Sequence, residues 1–480
     1  MNIALLLDVA ASMDPDRLIV TDGSGSMSLE QLRNAALTLA AQLAELRAEG
    51  PLAFVDINST RFPVGLFGAA YAGRAFAPLN YRADTALMSH FFAMLRPAAV
   101  VGGERYRAVI PSDFALFQLS LPLSGAVPPS AWVVDDAVAV HLFTSGTAST
   151  PKAVLLRHRQ LAAYVLNSVE PLQEPPESAS LIVAPNYHVA AIANVLTSTY
   201  SGRRMVLLDE FAPDRWLELA RRESVTHAFV VPTMLHRIVE HLRGKPADLP
   251  DLHTLAYGGA PTARPTVEAA LYAFPSTGLV NAYGLTETCS TVSVLGPDEH
   301  RAALGSGDPQ VRSRLSSAGR PLPSIEIRIA SDGEVLVRGE QVSGEYANSA
   351  SQVDAAGWFH TGDLGRVDAD GYLYLLGRRD DMIIRGSENI SPLEVEEVLR
   401  LCPGVRDVGV VGVADAEWGQ RLVAAIETDN LDEQTLVEWV RIHLPSFKRP
   451  SSYVRFDRLP RNELGKVLRR VIRQDIEQRV

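Results

Sequence analysis

The chain has 480 residues, 47% of them hydrophobic and 21% charged, with a formal net charge of −11. That length and apolar content can bury more than one core, which excludes a disordered chain; the acidic balance argues against a nucleic-acid binder, because neutralising phosphates takes clustered Lys and Arg. With Cys289 and Cys402 as its cysteines, the chain can build neither a disulfide framework nor a cysteine-rich metal centre, which fits a reducing cytoplasm. The first residues lack a positive leader and reach Asp8 soon after the apolar run 3–7, so no secretory signal is expected. No run approaches the roughly 20 apolar residues of a membrane span.

In chain order, residues 28–46 read as a helix: Ser28 and Gln31 have capping-box spacing, and Leu32, Ala36, Leu39 and Leu43 recur at helical intervals. Short apolar runs at 181–184, 205–208 and 228–231 then alternate with helical stretches such as 215–222, the pattern of strands crossing over through helices. Ile325, Ile327 and Ile329 alternate up to Asp332-Gly333, and Val335 and Val337 alternate away, which predicts a hairpin; a second turns at Asp370-Gly371. At Ser391-Pro392-Leu393-Glu394 the residues suit an N-cap, a first helical Pro and a capping-box Glu. A Val-rich strand at 408–413, an apolar segment at 422–426 and a helix carrying Leu436, Val440 and Leu444 before Pro445 follow. The expected fold class is α/β: a large N-terminal domain of mixed sheets flanked by helices, 1–379, and a small mobile C-terminal α+β domain, 380–480.

Chemistry concentrates first in Leu142-Phe143-Thr144-Ser145-Gly146-Thr147-Ala148-Ser149-Thr150-Pro151-Lys152. An apolar run ending in hydroxyls around a glycine, then a lysine, suits a loop that wraps phosphate oxygens, although most Ser/Thr/Gly-rich loops are solvated turns. It is not a Walker loop, since no hydroxyl follows Lys152. The segment resembles the phosphate loop of the adenylate-forming superfamily, which comprises acyl-CoA synthetases, carrier-protein adenylation domains and luciferases; Ala148, Ser149 and Ala153 depart from its usual pattern.

Four further segments carry the resemblance in family order. Asn281-Ala282-Tyr283-Gly284-Leu285-Thr286-Glu287 is similar to the motif whose tyrosine packs on adenine, whose threonine contacts phosphate and whose glutamate holds magnesium. A hard cation held by one carboxylate and substrate phosphates is ordinary magnesium chemistry. Gly357-Trp358-Phe359-His360-Thr361-Gly362-Asp363-Leu364 resembles the signature whose aspartate accepts from the ribose hydroxyls, and Arg378 matches the ribose-contacting arginine. Asp380 matches the hinge about which the small domain turns. Leu459-Pro460-Arg461-Asn462-Glu463-Leu464-Gly465-Lys466 resembles the catalytic-lysine loop; a lysine there would neutralise charge as a carboxylate attacks the α-phosphate.

The resemblance thus implies catalytic roles for Lys466, Glu287 and His188, and magnesium ligation by Glu287 and Thr147. It implies nucleotide contacts at Thr144, Ser145, Gly146, Thr147, Ser149, Lys152, Gly259, Ala260, Asn281, Ala282, Tyr283, Gly284, Thr286, Asp363, Arg378 and Lys466. Pro185-Asn186-Tyr187-His188 resembles the motif whose histidine gates the acid pocket. Amino-acid-activating domains place Phe-Asp in this region, so an amino-acid substrate is disfavoured. Tyr187, His188, Val189, Ile192, Gly258 and Gly284 would wall a hydrophobic pocket for an aliphatic, alicyclic or aromatic acid, although a core-facing run would look the same. Gly386 and Ser387 match the loop lining the thiol tunnel of CoA ligases.

The implied activity is that of an acid:CoA ligase using ATP, magnesium and coenzyme A to form an acyl adenylate and then a thioester. Two alternatives stand beside it: loading of a carrier-protein thiol, and a non-catalytic nucleotide or acyl-adenylate binder. A homodimer is expected at the level of the family.

Overall fold

The computed structural model describes residues 1–111, 114, 116–117, 136–144, 152–386, 388–428, 432–462 and 465–479. Among them, a nine-stranded, a six-stranded and a four-stranded sheet precede a two-stranded hairpin and a three-stranded sheet near the C-terminus. The large and small parts of the expected α/β architecture are both present.

The centre of the nine-stranded sheet is built from Arg204–Leu207, Ala179–Ile182, His227–Val230, Thr254–Gly258 and Gly278–Leu285, paired in parallel in that spatial order. Parallel neighbours need crossovers, supplied here by the helices Val189–Ser201, Pro213–Arg222, Pro232–Leu242 and Arg264–Ala273. Each expected strand lies one or two residues upstream of its apolar run. The helix at 215–222 begins earlier, at Pro213, where a missing N–H costs nothing. Its Trp216, Leu217 and Ala220 pack with Val206 and Val230 of the sheet.

A second layer is shared between two sheets. The helices Ala4–Met13, Leu29–Ala44, Arg61–Tyr71 and Val189–Ser201 bury one continuous core that includes Ile19, Val20 and Met205 of the nine-stranded sheet and Leu52, Phe54 and Phe76 of the six-stranded sheet. Phe54, Phe62 and Phe76 meet with centroids 5.5 to 5.8 Å apart. Truncating any of them to Ala should cost about 3–5 kcal/mol. Leu29–Ala44 starts at the expected capping box: Ser28 N–H donates to Gln31 Oε1 at 2.8 Å and Gln31 N–H to Ser28 Oγ at 3.3 Å.

Both hairpins form, Glu326–Ile329 with Glu334–Arg338 and Phe359–Val367 with Leu373–Arg378. The second sets Asp363 opposite Arg378 in register. In the C-terminal part, the antiparallel pair Asp407–Asp415 and Gly419–Glu427 extends in parallel to Ser452–Phe456. Val408 and Val410 pack on one face and Val411 and Val413 on the other, so both faces are covered and the strand reads as an unbroken apolar run. Ser391 caps the helix Pro392–Arg400 by accepting from Glu394 N–H, but the expected capping box is half formed. The Glu394 carboxylate instead takes the Lys448 ammonium at 2.5 and 2.6 Å, a cation outbidding a neutral backbone donor.

Candidate active site

The carboxyl ends of parallel strands are where α/β sheets present ligands. Gly278–Leu285 ends the parallel run on its side of the sheet: it pairs in parallel with Thr254–Gly258 and antiparallel with Ser290–Leu295. A cavity of about 210 Å³ opens there, lined by Gly259, Ala260, Asn281, Ala282, Tyr283 and Gly284 and also by Asp363, Arg378 and Lys466. The structure therefore gathers residues of four separate motif segments at one opening. Asn281 is a strut, its amide donating to Ser317 O at 2.8 Å. Gly284 is required by packing, since a Cβ would stand 1.8 Å from Ser290 O.

Asp363 is the electrostatic centre. Buried at 8% exposure, it accepts from the Tyr283 hydroxyl on Oδ2 at 2.7 Å and pairs through Oδ1 with Arg378 Nε at 2.9 Å. Arg378 also donates to Thr361 O at 2.8 Å. A carboxylate has about four lone-pair sites, so each oxygen keeps room for another donor, such as a ribose hydroxyl. Burial, then the Asp363 charge, pushes the Tyr283 hydroxyl well up and keeps it a donor. Burial, then the Arg378 cation, pushes the Lys466 ammonium below the ordinary lysine value. Lys466 N–H is held by Asn462 Oδ1 at 2.8 Å, and Arg469 ties its loop to Asp381 at 3.3 Å and Glu396 at 2.8 Å.

Thr286 and Glu287 lie in the turn Thr286–Thr288 that leaves the same strand. Glu287 Oε1 accepts from the Tyr346 hydroxyl at 2.7 Å, and its backbone carbonyl accepts from Ser343 and Gly344 N–H at 2.7 and 3.2 Å. No group of three or more His, Cys, Asp or Glu could hold a metal among the described residues, so an all-protein cage is not offered there. One carboxylate of hard oxygens, completed by phosphates and water, is what magnesium accepts, and Glu287 fits it. Of the phosphate loop, Thr144 Oγ1 donates to Lys152 O at 3.5 Å, and Ser145, Gly146, Thr147 and Ser149 lie outside the described residues.

His188 precedes the helix Val189–Ser201, its ring 4.6 Å from that of Tyr187, which in turn meets Tyr81 edge-on at 5.5 Å. Burial, with the Arg82 charge adding to it, pushes His188 down to about 4, so the imidazole is neutral near pH 7, and its buried Nε2 has no partner among the described residues. Val189 is half-buried, while Ile192 is fully enclosed in the core shared between the sheets. Ile192 thus has no open surface here, because the second turn of the helix faces inward. Gly258 is buried where Thr254–Gly258 pairs with Ala282. Gly386, at φ +62°, donates to Trp418 O at 2.7 Å; Ser387 lies outside the described residues, and Asp380 sits in the turn Arg379–Asp381.

Sequence reasoning passed over Tyr346 and Arg469. Each acts through residues far away in the chain, and an aromatic or an Arg in a polar stretch carries no local signal of that.

An opening at the carboxyl end of a parallel strand in an α/β sheet, reached by a lysine from the C-terminal part of the chain, is the organisation of a two-domain ligase. The chain belongs to the AMP-binding enzymes: residues 7–347 match the AMP-binding enzyme family and residues 394–466 its C-terminal domain. It is 32% identical to feruloyl-CoA synthase of an Amycolatopsis species over 97% of each chain. It is 30% identical to indoleacetate–CoA ligase of Aromatoleum aromaticum over 99% of this chain and 98% of that one. Among solved structures it resembles o-succinylbenzoate CoA synthetase from Bacillus subtilis in complex with its acyl-adenylate intermediate, with a TM-score of 0.85, 27% identity and 97% of each chain covered.

Proposed function

We propose that this chain is an ATP-dependent acid:CoA ligase whose substrate is a bulky aromatic carboxylic acid. The observation that carries it is the convergence of Lys466 with Asp363 and Arg378 on one cavity, which puts a cation from the C-terminal part beside a ribose-type carboxylate. In the first step the acid's carboxylate attacks the α-phosphorus of ATP and pyrophosphate leaves; in the second a thiol sulfur attacks the acyl carbon and AMP leaves.

Asp363 accepts from the ribose hydroxyls, Arg378 holds Asp363 and the ribose side, and Tyr283 packs on adenine. Lys466 offsets the charge developing at the α-phosphate, where a preorganised cation acts most strongly. Glu287, with Thr147, would hold magnesium, which supplies charge neutralisation at the phosphates. Neutral His188 borders the acid's carboxylate without adding a competing charge. The aromatic class is supported by the relatives, whose names specify ferulic and indoleacetic acids.

In this reading the domains divide at 379/380, Asp380 is the hinge, and Gly386 with Ser387 admits the thiol after the small domain turns. Coenzyme A is the favoured acceptor, a carrier protein the second, and the working unit is a homodimer. A panel of aromatic, alicyclic and aliphatic acids, assayed for pyrophosphate release with and without CoA, tests the reading. Aromatic acids giving CoA thioesters by mass spectrometry support it. Turnover only with a carrier protein, or none across the panel despite ATP binding, overturns it.

A further inference from the structure

We infer that Tyr346 is a positioning residue for the metal–triphosphate end of the site, fixing Glu287 through its hydroxyl and Lys152 through its ring. The inference rests on the adenylation reading above, but concerns a residue outside all of its motifs.

Tyr346 lies on a short strap, residues 341–347, bonded to both halves of the site. On one side the strap grips the turn that bears Glu287: Ser343 and Gly344 N–H donate to Glu287 O at 2.7 and 3.2 Å, and Gln341 Nε2 donates to Thr288 O and Thr291 O at 2.9 and 2.8 Å. On the other it grips the strand Lys152–Arg157, which leaves the phosphate loop. There Leu155 N–H donates to Glu345 O at 3.0 Å, Ala347 N–H to Ala153 O at 2.9 Å, and Arg157 pairs with Glu345 at 2.8 Å.

A side chain in the middle of such a strap is held from both ends, and Tyr346 uses both its polar and its aromatic parts. The hydroxyl donates to Glu287 Oε1 at 2.7 Å, and the Lys152 ammonium stands 5.6 Å from the ring centroid. A carboxylate already held on one oxygen presents the other to a cation with fewer rotamers to lose. A lysine resting on an aromatic face is likewise kept near the phosphates. Lys152 and Glu287, 135 residues apart in the chain, are thereby linked through one side chain.

The two contacts can be separated by substitution. Tyr346→Phe removes the hydroxyl and keeps the ring; Tyr346→Leu removes both. Manganese binding is read by electron paramagnetic resonance with α,β-methylene ATP, and metal-free nucleotide binding by calorimetry, with no acid or CoA present. Tyr346→Phe is expected to weaken manganese binding by about 10-fold, in the range typical of lost outer-shell partners, and to leave metal-free nucleotide affinity unchanged. Tyr346→Leu is expected to weaken both. In a Glu287→Gln background, Tyr346→Phe should add no further loss, which a general folding defect would not mimic. Manganese binding that is unchanged or tighter in Tyr346→Phe overturns the assignment while leaving the adenylation reading intact. A wild-type chain that binds no manganese with the nucleotide overturns both.

Discussion

Gly465 stands against Thr233, the second residue of the helix Pro232–Leu242: a Cβ on Gly465 would lie 2.2 Å from Thr233 Cγ2 and 2.4 Å from Oγ1, at a backbone φ of +77°. The lysine loop thus meets the large domain through a position with no room for a side chain, immediately before Lys466.

Gly465→Ala combines left-handed strain of about 1–2 kcal/mol with that collision, so it should disfavour the arrangement that brings Lys466 to the cavity. Pyrophosphate release should fall by 10-fold or more, while thioester formation from supplied acyl adenylate changes little if, as proposed, the small domain turns the loop away for that step. Thr233→Ala in the same chain removes the two nearest atoms and should restore part of the first activity. Equal loss of both half-reactions would count against the contact being specific to one arrangement.

Asp363→Asn keeps the shape of the side chain and removes its charge, leaving Arg378 without its carboxylate and the Tyr283 hydroxyl with a weaker acceptor. Hydrogen bonds to charged groups contribute about 1.5–3 kcal/mol, so ATP affinity should drop by about 10- to 100-fold. Tyr283→Phe alone should cost less, and the double variant should fall short of the sum, because both changes act on one carboxylate. Calorimetric titration of ATP into the four proteins checks this; strict additivity would show that the two residues act separately.

Where one local cause decides the structure, the sequence was enough to read it. The Ser28–Gln31 box, the Asp332-Gly333 and Asp370-Gly371 turns and the Val-rich strand all formed because capping, left-handed turns and two-sided burial are settled within a few residues. The half-formed box at Ser391 went otherwise because Lys448, 54 residues later, competes for Glu394. The residues expected to face a nucleotide were legible as motifs, and the structure brings Tyr283, Asp363, Arg378 and Lys466 together at one cavity. Tyr346 was not legible, since its two partners come from different strands, nor was the inward turn of Ile192, which depends on which side of the helix the second sheet covers.

The buried imidazole of His188 should leave a mark on acid stability. Its folded value of about 4 lies below the ordinary 6.5, so between those limits the unfolded chain binds a proton that the folded chain refuses, and stability falls as pH drops. From pH 7 to 5.5 the loss is about 1 kcal/mol for this histidine. His188→Ala lowers stability near pH 7 by leaving a void, but its decline over that interval should be shallower than wild type by the same amount. Urea unfolding at the two pH values measures it, and parallel declines would show that His188 charges freely in the folded chain.

The proposed function gives Lys466 a role in the first half-reaction and none in the second. Its depressed ammonium value means that the cation is lost at lower pH than for an exposed lysine, so adenylation should fall on the alkaline side as pH rises through that value. Thioester formation from supplied adenylate, in which the proposal gives this cation no part, should lack that limb. Lys466→Ala should slow pyrophosphate release by about 100-fold or more, the scale of losing one preorganised charge-stabilising group, with the second half-reaction kept within a few-fold. Lys466→Arg should restore part of the rate and shift the alkaline limb out of the accessible range, because a guanidinium stays charged. Measuring both half-reactions from pH 7 to about 10 for the three proteins separates the outcomes. A shared alkaline limb, or equal losses in Lys466→Ala, would place the lysine in both steps and undo its assignment to the first.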